Sequence, residues 1–193
     1  SGRASAPVLW GKSATRIRAC ADGGGVRRLE DRGVEQGRMA VSAVDFTREL
    51  NRERLDHELI RHRPTETARG EALEVGLAEV GKTVVLATGT GFVRVLVPAA
   101  NRLDLHKLRA LLGGGDTTRL ANEQELAGAY PMFELGAVPP IGGPPGDRTI
   151  IDRRLATRDS VVVEAGSHEL SVRLQIRDVV RLSSAQIADI CED

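Results

Sequence analysis

The feature that most constrains this fold is a pair of β-branched runs, Lys82 to Thr88 and Phe92 to Pro98, separated by Gly89-Thr90-Gly91. Valine-rich runs favour extended backbone, and a short glycine-containing connection is typical of a β-hairpin. The chain is therefore expected to build a sheet around an antiparallel pair. Aromatic residues make up only 3% of the chain and hydrophobic residues 41%, so we expect a core of valine, leucine, isoleucine and alanine.

Helical and extended patterns alternate around this hairpin. Helices are predicted over 43–54, from Thr65 to Val75, from Asp104 to Leu112, after the capping-box pair Asn122 and Glu125, and over 176–182 and 184–191. Further strands are predicted over His57 to His62, Thr149 to Asp152, Ser160 to Ala165 and Glu169 to Leu174. Interspersed helices and hairpins favour a single mixed α/β (α+β) domain over a regular doubly wound parallel sheet.

Residues 1–38 show no sustained periodicity and carry an excess of basic over acidic side chains. We interpret them as a disordered extension, or as translated sequence upstream of a start at Met39, with the domain over 39–193. A basic arm that helps to hold a nucleic acid is the alternative. Cys20 and Cys191 lie far apart, no signal peptide is evident and no apolar run is long enough to cross a membrane. We therefore expect a cytoplasmic protein.

Gly76 to Thr83 fits the spelling of a phosphate-binding P-loop, GxxxxGK[ST]. A true P-loop follows a strand and opens a helix, because loop amides and the helix N-terminus cradle the phosphates. Here β-branched residues follow the lysine at once, which predicts a strand in place of the helix. The order of elements therefore argues against a nucleotidase.

The four histidines, His57, His62, His106 and His168, lack the spacing of metal ligands, and each is expected to be structural. No catalytic serine or cysteine motif is evident either. No metal and no cofactor are predicted. A net charge of zero argues against a large unspecific nucleic-acid surface, although a local patch could still hold one end of a nucleic acid.

A series of segments spans most of residues 44–191. They are His62 to Ala68 (HRPTETA), Val80 to Leu86 (VGKTVVL), Val97-Pro98 with Arg102 to Leu108 (RLDLHKL), Gly136 to Gly142 (GAVPPIG), Ile150 to Asp152, Glu164 to Ser167, and Ile187 to Ile190. Together, and in this order, they resemble the YbaK/EbsC family of aminoacyl-tRNA deacylases, relatives of the editing insertion in bacterial prolyl-tRNA synthetase.

The resemblance implies a compact mixed fold with a central curved sheet, and hydrolysis of mischarged tRNA without a metal or a covalent intermediate. The family's lysine falls on Lys82 and its GxxxP loop on Gly136 to Pro140. Mischarged tRNA is the implied partner, with a synthetase such as prolyl-tRNA synthetase as a second one. A non-catalytic tRNA-binding or synthetase-associated module is the alternative.

The resemblance also implies further substrate contacts. A tyrosine of some members falls near Ile60, which changes the pocket. Pro139 and Pro140 have no N–H, so loop donors are limited to Gly136, Ala137, Val138 and residues after Pro140. Asp152 is expected either to orient Lys82 or a water, or to cap the turn before Leu155. The remaining candidates are Thr83, as a support residue facing away from Lys82, and Gly166.

Overall fold

The computed structural model describes residues 16–19, 39–62, 79–113, 117–144 and 146–193. Its helices in these ranges are α1 (Met39–Arg52), α2 (Leu105–Leu111), α3 (Glu123–Ala129), α4 (Arg153–Ala156) and α5 (Ile176–Ser183). Its strands are β1 (Arg16–Ala19), β2 (His57–Arg61), β3 (Gly81–Thr88), β4 (Gly91–Pro98), β5 (Arg119–Leu120), β6 (Arg148–Asp152), β7 (Ser160–Ser167), β8 (Leu170–Gln175) and β9 (Gln186–Ala188).

The predicted hairpin is the centre of a five-stranded mixed sheet with the order β5-β3-β4-β6-β9. Strands β3 and β4 pair antiparallel from Gly81 opposite Pro98 to Thr88 opposite Gly91. Strand β6 pairs with β4 in parallel, and β9 pairs with β6 in parallel. A second, antiparallel sheet has the order β1-β2-β8-β7. The predicted mixed α+β class is confirmed.

The two sheets approach each other at the start of β3. Val80 forms a parallel bridge with Val162, and the Val162 amide donates to the Glu79 carbonyl at 2.8 Å. A Cβ on Gly81 would lie 2.9 Å from Leu96 Cδ1 and 3.1 Å from Val161 Cγ2, so only glycine fits without a shift. This contact fixes the position of the next residue, Lys82.

Two large apolar clusters form the core. One lies around α1, α5 and the second sheet and includes Leu50, Leu155 and Val172. The other covers the opposite face of β3 and β4 and includes Leu86, Val95 and Leu108 from α2. As predicted, these clusters are built mainly from valine, leucine, isoleucine and alanine.

The last predicted helix, over 184–191, is wrong. Ser184 adopts a left-handed conformation with φ 48° and ends α5, and the Ala185 amide donates back to the Val180 carbonyl at 3.0 Å. The chain then extends as β9 along β6, pairing Ile187 with Ile151. The open edge of β6 offers backbone partners that local propensity does not report, so tertiary pairing decides the conformation.

Two other expectations concern the first half of the chain. The helix from Thr65 to Val75 lies outside the described residues. Of residues 1–38, Arg16–Ala19 form β1, an edge strand antiparallel to β2, which the sequence did not predict. The boundary at Met39 stays a prediction.

No helix in the described ranges is long and apolar enough to span a bilayer.

Candidate active site

Lys82 is the second residue of β3 and is half-buried. Its ammonium donates a long hydrogen bond of 3.4 Å to the carbonyl of Ala99, just beyond β4. Burial lowers the pKa of Lys82 below its ordinary value; the nearby thiol of Cys191 opposes this shift and Arg102 adds to it. Within the described part of the chain, no carboxylate shifts the pKa of Lys82, and one long hydrogen bond holds its ammonium.

The residues beside Lys82 include one of the predicted substrate contacts. Ile60 is buried in a small cluster with Val80, Ala99 and Val162. Because Ala99 also accepts the hydrogen bond of Lys82, this cluster forms the apolar floor next to the ammonium. Ile60 is 4% exposed, so its side chain packs within this cluster and offers little open surface to a ligand.

Thr83 follows Lys82 and is also half-buried. Strand alternation turns its side chain to the opposite face, which it shares with Gly81 and Val85. Val85 packs with Tyr130 and with Val138 of the GxxxP loop. The loop therefore covers the face of β3 opposite the side chain of Lys82. Among the described residues, no hydrogen bond or ion pair joins Lys82 to the loop.

The GxxxP loop begins with an exposed residue, Gly136, which we call its entrance, and the residues after it are buried. Gly136 is exposed, with φ 88°, whereas the residues from Ala137 to Ile141 are buried. The Ala137 amide donates to the Glu134 carbonyl at 3.0 Å, and this removes it from the set of free donors. For the amides of Gly136 and Val138, the described part of the chain contains no such partner.

His168 lies against Gly136, a neighbour that the sequence did not reveal. A Cβ on Gly136 would be 3.4 Å from His168 Cε1. The imidazole Nε2 donates to the Leu135 carbonyl at 2.7 Å, and Nδ1 lies 3.3 Å from Glu164 Oε1. Both partners are acceptors, and only the imidazolium form can donate to both.

The charge of His168 follows from these contacts. Burial lowers its pKa, but the Leu135 carbonyl and the charge of Glu164 outweigh that effect, so the pKa of His168 is raised above its ordinary value. The structure therefore places beside the exposed glycine an imidazole edge whose two acceptors favour the protonated form. The only hint in the sequence is the position of His168, directly after the strand that contains Gly166 and Ser167.

Gly166 is tied to the entrance of the loop. It has φ 93°, and its carbonyl accepts a 3.0 Å hydrogen bond from the Glu134 amide. The Glu134 carboxylate in turn accepts from the His168 amide at 2.7 Å. The predicted residues Gly166 and Gly136 are therefore brought to one place, at the bulge near the end of β7.

Asp152 is fully buried, and its contacts are those of a helix cap. Its carboxylate accepts from the Arg154 amide at 2.9 Å, which starts α4, and from the Ile190 amide at 3.1 Å. Burial alone would raise the pKa of Asp152, but the two amide hydrogen bonds hold it below its ordinary value. Among the described residues no contact joins Asp152 to Lys82; the capping alternative is the one observed.

The secondary structure around Lys82 also excludes a phosphate-binding P-loop. β3 begins at Gly81, so Lys82 and Thr83 lie in a strand and not at a helix N-terminus. In the described ranges, no group of three or more histidine, cysteine, aspartate or glutamate side chains has the arrangement of a metal site.

Comparison with known proteins identifies the class of this fold. The model of the aminoacyl-tRNA editing domain family matches residues 62–182. A crystal structure of a candidate trans-editing enzyme for prolyl-tRNA synthetase is 27% identical, with a TM-score of 0.68, over 84% of this chain and 100% of that one. A crystal structure of a hypothetical protein is 26% identical, with a TM-score of 0.69, over 78% and 99% of the two chains.

A third solved structure, from a study of epitope grafting onto scaffold proteins, is 25% identical with a TM-score of 0.69, over 79% of this chain and 97% of that one. A search of curated proteins gives no match. The chain belongs to the aminoacyl-tRNA editing domain family. The predicted resemblance to the YbaK-type editing proteins is thereby confirmed.

Proposed function

We propose that this protein is a trans-editing hydrolase that deacylates mischarged aminoacyl-tRNA. The observation that carries the proposal is the exposed Gly136, with its positive φ and the imidazole of His168 beside it, whose pKa, despite burial, is raised by the Leu135 carbonyl and Glu164. An uncovered backbone next to a positive charge suits a reaction that develops negative charge on an ester oxygen. Membership of the editing domain family supports this assignment.

The reaction would be hydrolysis of the ester between an amino acid and the terminal ribose of tRNA. A water oxygen attacks the ester carbonyl, the bond to the ribose oxygen breaks, and that oxygen leaves with a proton. Such esters are labile, so the enzyme has to orient the ester and a water and to stabilise the oxyanion. The neighbouring ribose hydroxyl is a candidate for activating the water.

The loop supplies the donors in this scheme. Since the Ala137 amide is already bonded to Glu134, the amides of Gly136 and Val138 are the candidates to face the oxyanion. The absence of a side chain at Gly136 lets the ester approach the backbone closely. His168 would add positive charge at the same place.

Lys82 would hold another part of the tRNA end as a cation, since its side chain leaves β3 on the face opposite the loop. Its single weak hydrogen bond to Ala99 leaves the ammonium available for a phosphate or a ribose hydroxyl. Its location beside Ile60 and Ala99 places it at an apolar wall, where solvent screening is reduced. Thr83 supports the other face of the strand.

The proposed substrates carry a small amino acid, such as cysteine or alanine on tRNA(Pro) or a similar tRNA. Selection would be steric, because a small pocket excludes larger side chains, whereas one methylene is worth only about 1–3 kcal/mol. Prolyl-tRNA synthetase is the proposed protein partner, because one structural relative is a candidate trans-editing enzyme for that synthetase. The expected site of action is the cytoplasm.

A deacylation screen tests the proposal directly. The full chain is mixed with a panel of mischarged tRNAs, with correctly charged Pro-tRNA(Pro) and a Lys82→Ala variant as controls. We expect turnover of at least one tRNA that carries a small amino acid, and none with the variant. Binding of mischarged tRNA without turnover on any member would favour the non-catalytic module.

A further inference from the structure

A buried arginine, Arg94, lies beneath the GxxxP loop. It is in β4, opposite Val85 of β3, and is 5% exposed. Cross-strand partners project to the same face, and Val85 packs against Val138 of the loop. The strand pair therefore directs a guanidinium at the underside of the candidate site.

The guanidinium bonds to two loop carbonyls. Its Nη1 donates to the Pro139 carbonyl at 3.3 Å and also to the Gly142 carbonyl. These two carbonyls flank Pro140 and Ile141, so one side chain clamps both ends of the turn that closes the loop. Gly142 and Gly143 have φ 75° and 86°, and this positive φ is the backbone shape that turns the chain over Arg94.

The loop cannot hold this turn by itself. Pro139 and Pro140 have no N–H, so two successive residues offer acceptors and no donors. A buried carbonyl without a donor is costly, and the two N–H groups on Nη1 of Arg94 can serve two carbonyls at once. Burying such a charge is itself costly, which favours a role that a neutral side chain does not fill.

A second set of contacts anchors the far side of the guanidinium. Arg94 Nε lies 3.9 Å from Asp147 Oδ2, and the Tyr130 hydroxyl donates to the same oxygen at 2.6 Å. The Tyr130 ring also stacks edge-on with Phe92, at a centroid distance of 6.0 Å. These residues fix Arg94 to the sheet without bonding to the loop carbonyls.

We infer that Arg94 is a positioning residue for deacylation: it grips the carbonyls of Pro139 and Gly142 and so sets the direction of the loop amides at Gly136 and Val138. It acts through the loop and does not contact the ester. The inference rests on the proposed function for its catalytic consequence. Whether Arg94 holds the loop can be measured on the free protein, without any substrate.

The test compares Arg94→Lys and Arg94→Gln with Tyr130→Phe. Lysine keeps the charge but not the planar guanidinium whose Nη1 reaches both carbonyls, and glutamine is neutral and leaves Asp147 hydrogen-bonded to Tyr130. The matched control removes only the hydroxyl contact to Asp147 and keeps the ring against Val138. Hydrogen exchange at the buried loop amides of Ala137, Val138 and Ile141, thermal melting and single-turnover deacylation are measured for each protein.

For both Arg94 variants we expect loop amides that exchange at least about tenfold faster while the amides of β3 and β4 stay protected. The turnover rate should fall by roughly tenfold to a hundredfold, with KM changed by less than about threefold, because the loop donors are misaligned and not removed. The Tyr130→Phe protein should melt at a lower temperature yet keep wild-type loop exchange and turnover.

Wild-type loop exchange in a folded Arg94 variant would overturn the inference. The same result follows if Tyr130→Phe reproduces both effects, since the cluster's stability and not the carbonyl grip would then be responsible. If the wild-type protein deacylates no tRNA, the proposed function fails, and the exchange data still decide whether Arg94 holds the loop.

Discussion

Replacement of Gly136 by valine separates a role in the reaction from a role in the fold. Gly136 has φ 88°, and a Cβ there would lie 3.4 Å from His168 Cε1. A branched residue at such a positive φ costs about 1–3 kcal/mol. Its γ-carbons would also cover the backbone that we expect to face the ester.

Gly113, after α2, is a matched control. It has φ 89°, and nothing lies within 4 Å of a Cβ built on it. Gly113→Val therefore carries the same backbone strain as Gly136→Val but cannot touch the candidate site. For a chain of this size each kcal/mol lowers the melting temperature by about 2–4 °C, so both variants should melt roughly 2–12 °C lower.

Single-turnover deacylation then distinguishes the two positions. Loss of one oxyanion donor typically costs about a hundredfold to a thousandfold in rate, or roughly 2.7–4 kcal/mol in the barrier. We expect a loss of at least about a hundredfold in Gly136→Val and wild-type turnover in Gly113→Val. Near-normal turnover in Gly136→Val would show that the loop does not contact the substrate, and the assignment of the site would have to move.

Three further predictions can be checked with the same assays. Lys82→Ala should abolish deacylation with a small change in melting temperature, because its one hydrogen bond, to Ala99, is long; a folded variant with wild-type turnover would contradict the role. His168→Gln should lower the melting temperature at acidic pH. Since the folded pKa of His168 is raised, its stabilisation is complete below the unfolded pKa and is lost as pH rises through the folded value; a melting difference that grows with pH would refute this. Deletion of residues 1–38 should keep turnover. The sequence alone predicted no change in melting, but the pairing of β1 with β2 now predicts a lower melting temperature; reduced tRNA affinity would instead favour the basic arm.

Local signals were sufficient for much of the fold. The hairpin of β3 and β4 follows from β-branched runs around a glycine turn, and it is confirmed in full register. The capping box of Asn122 and Glu125 is formed by both reciprocal hydrogen bonds. Asp104 likewise caps α2 through the amides of His106 and Lys107. In each case the deciding contacts lie within a few residues in sequence, so the sequence pattern is enough to identify them.

Contacts between residues far apart in the sequence determined the rest of the fold and of the candidate site. β9 is a strand because it completes the edge of β6, although its own residues read as helical. His168 joins Gly136, and Arg94 joins Pro139, across separations that no periodicity encodes. Asp152 had two possible roles in the sequence, and the approach of Ile190 from the end of the chain favours the cap.

The sequence by itself therefore determined the hairpin, the capped helices, the composition of the core and the family resemblance, because these depend on neighbouring residues or on the order of short motifs. The tertiary structure decided which face of β3 the loop covers and which loop amides stay free. It also decided that the buried Arg94 bonds to the loop carbonyls and that His168 lies beside Gly136. Those properties depend on burial and on hydrogen bonds between elements far apart in the chain, which exist only after the sheets have packed.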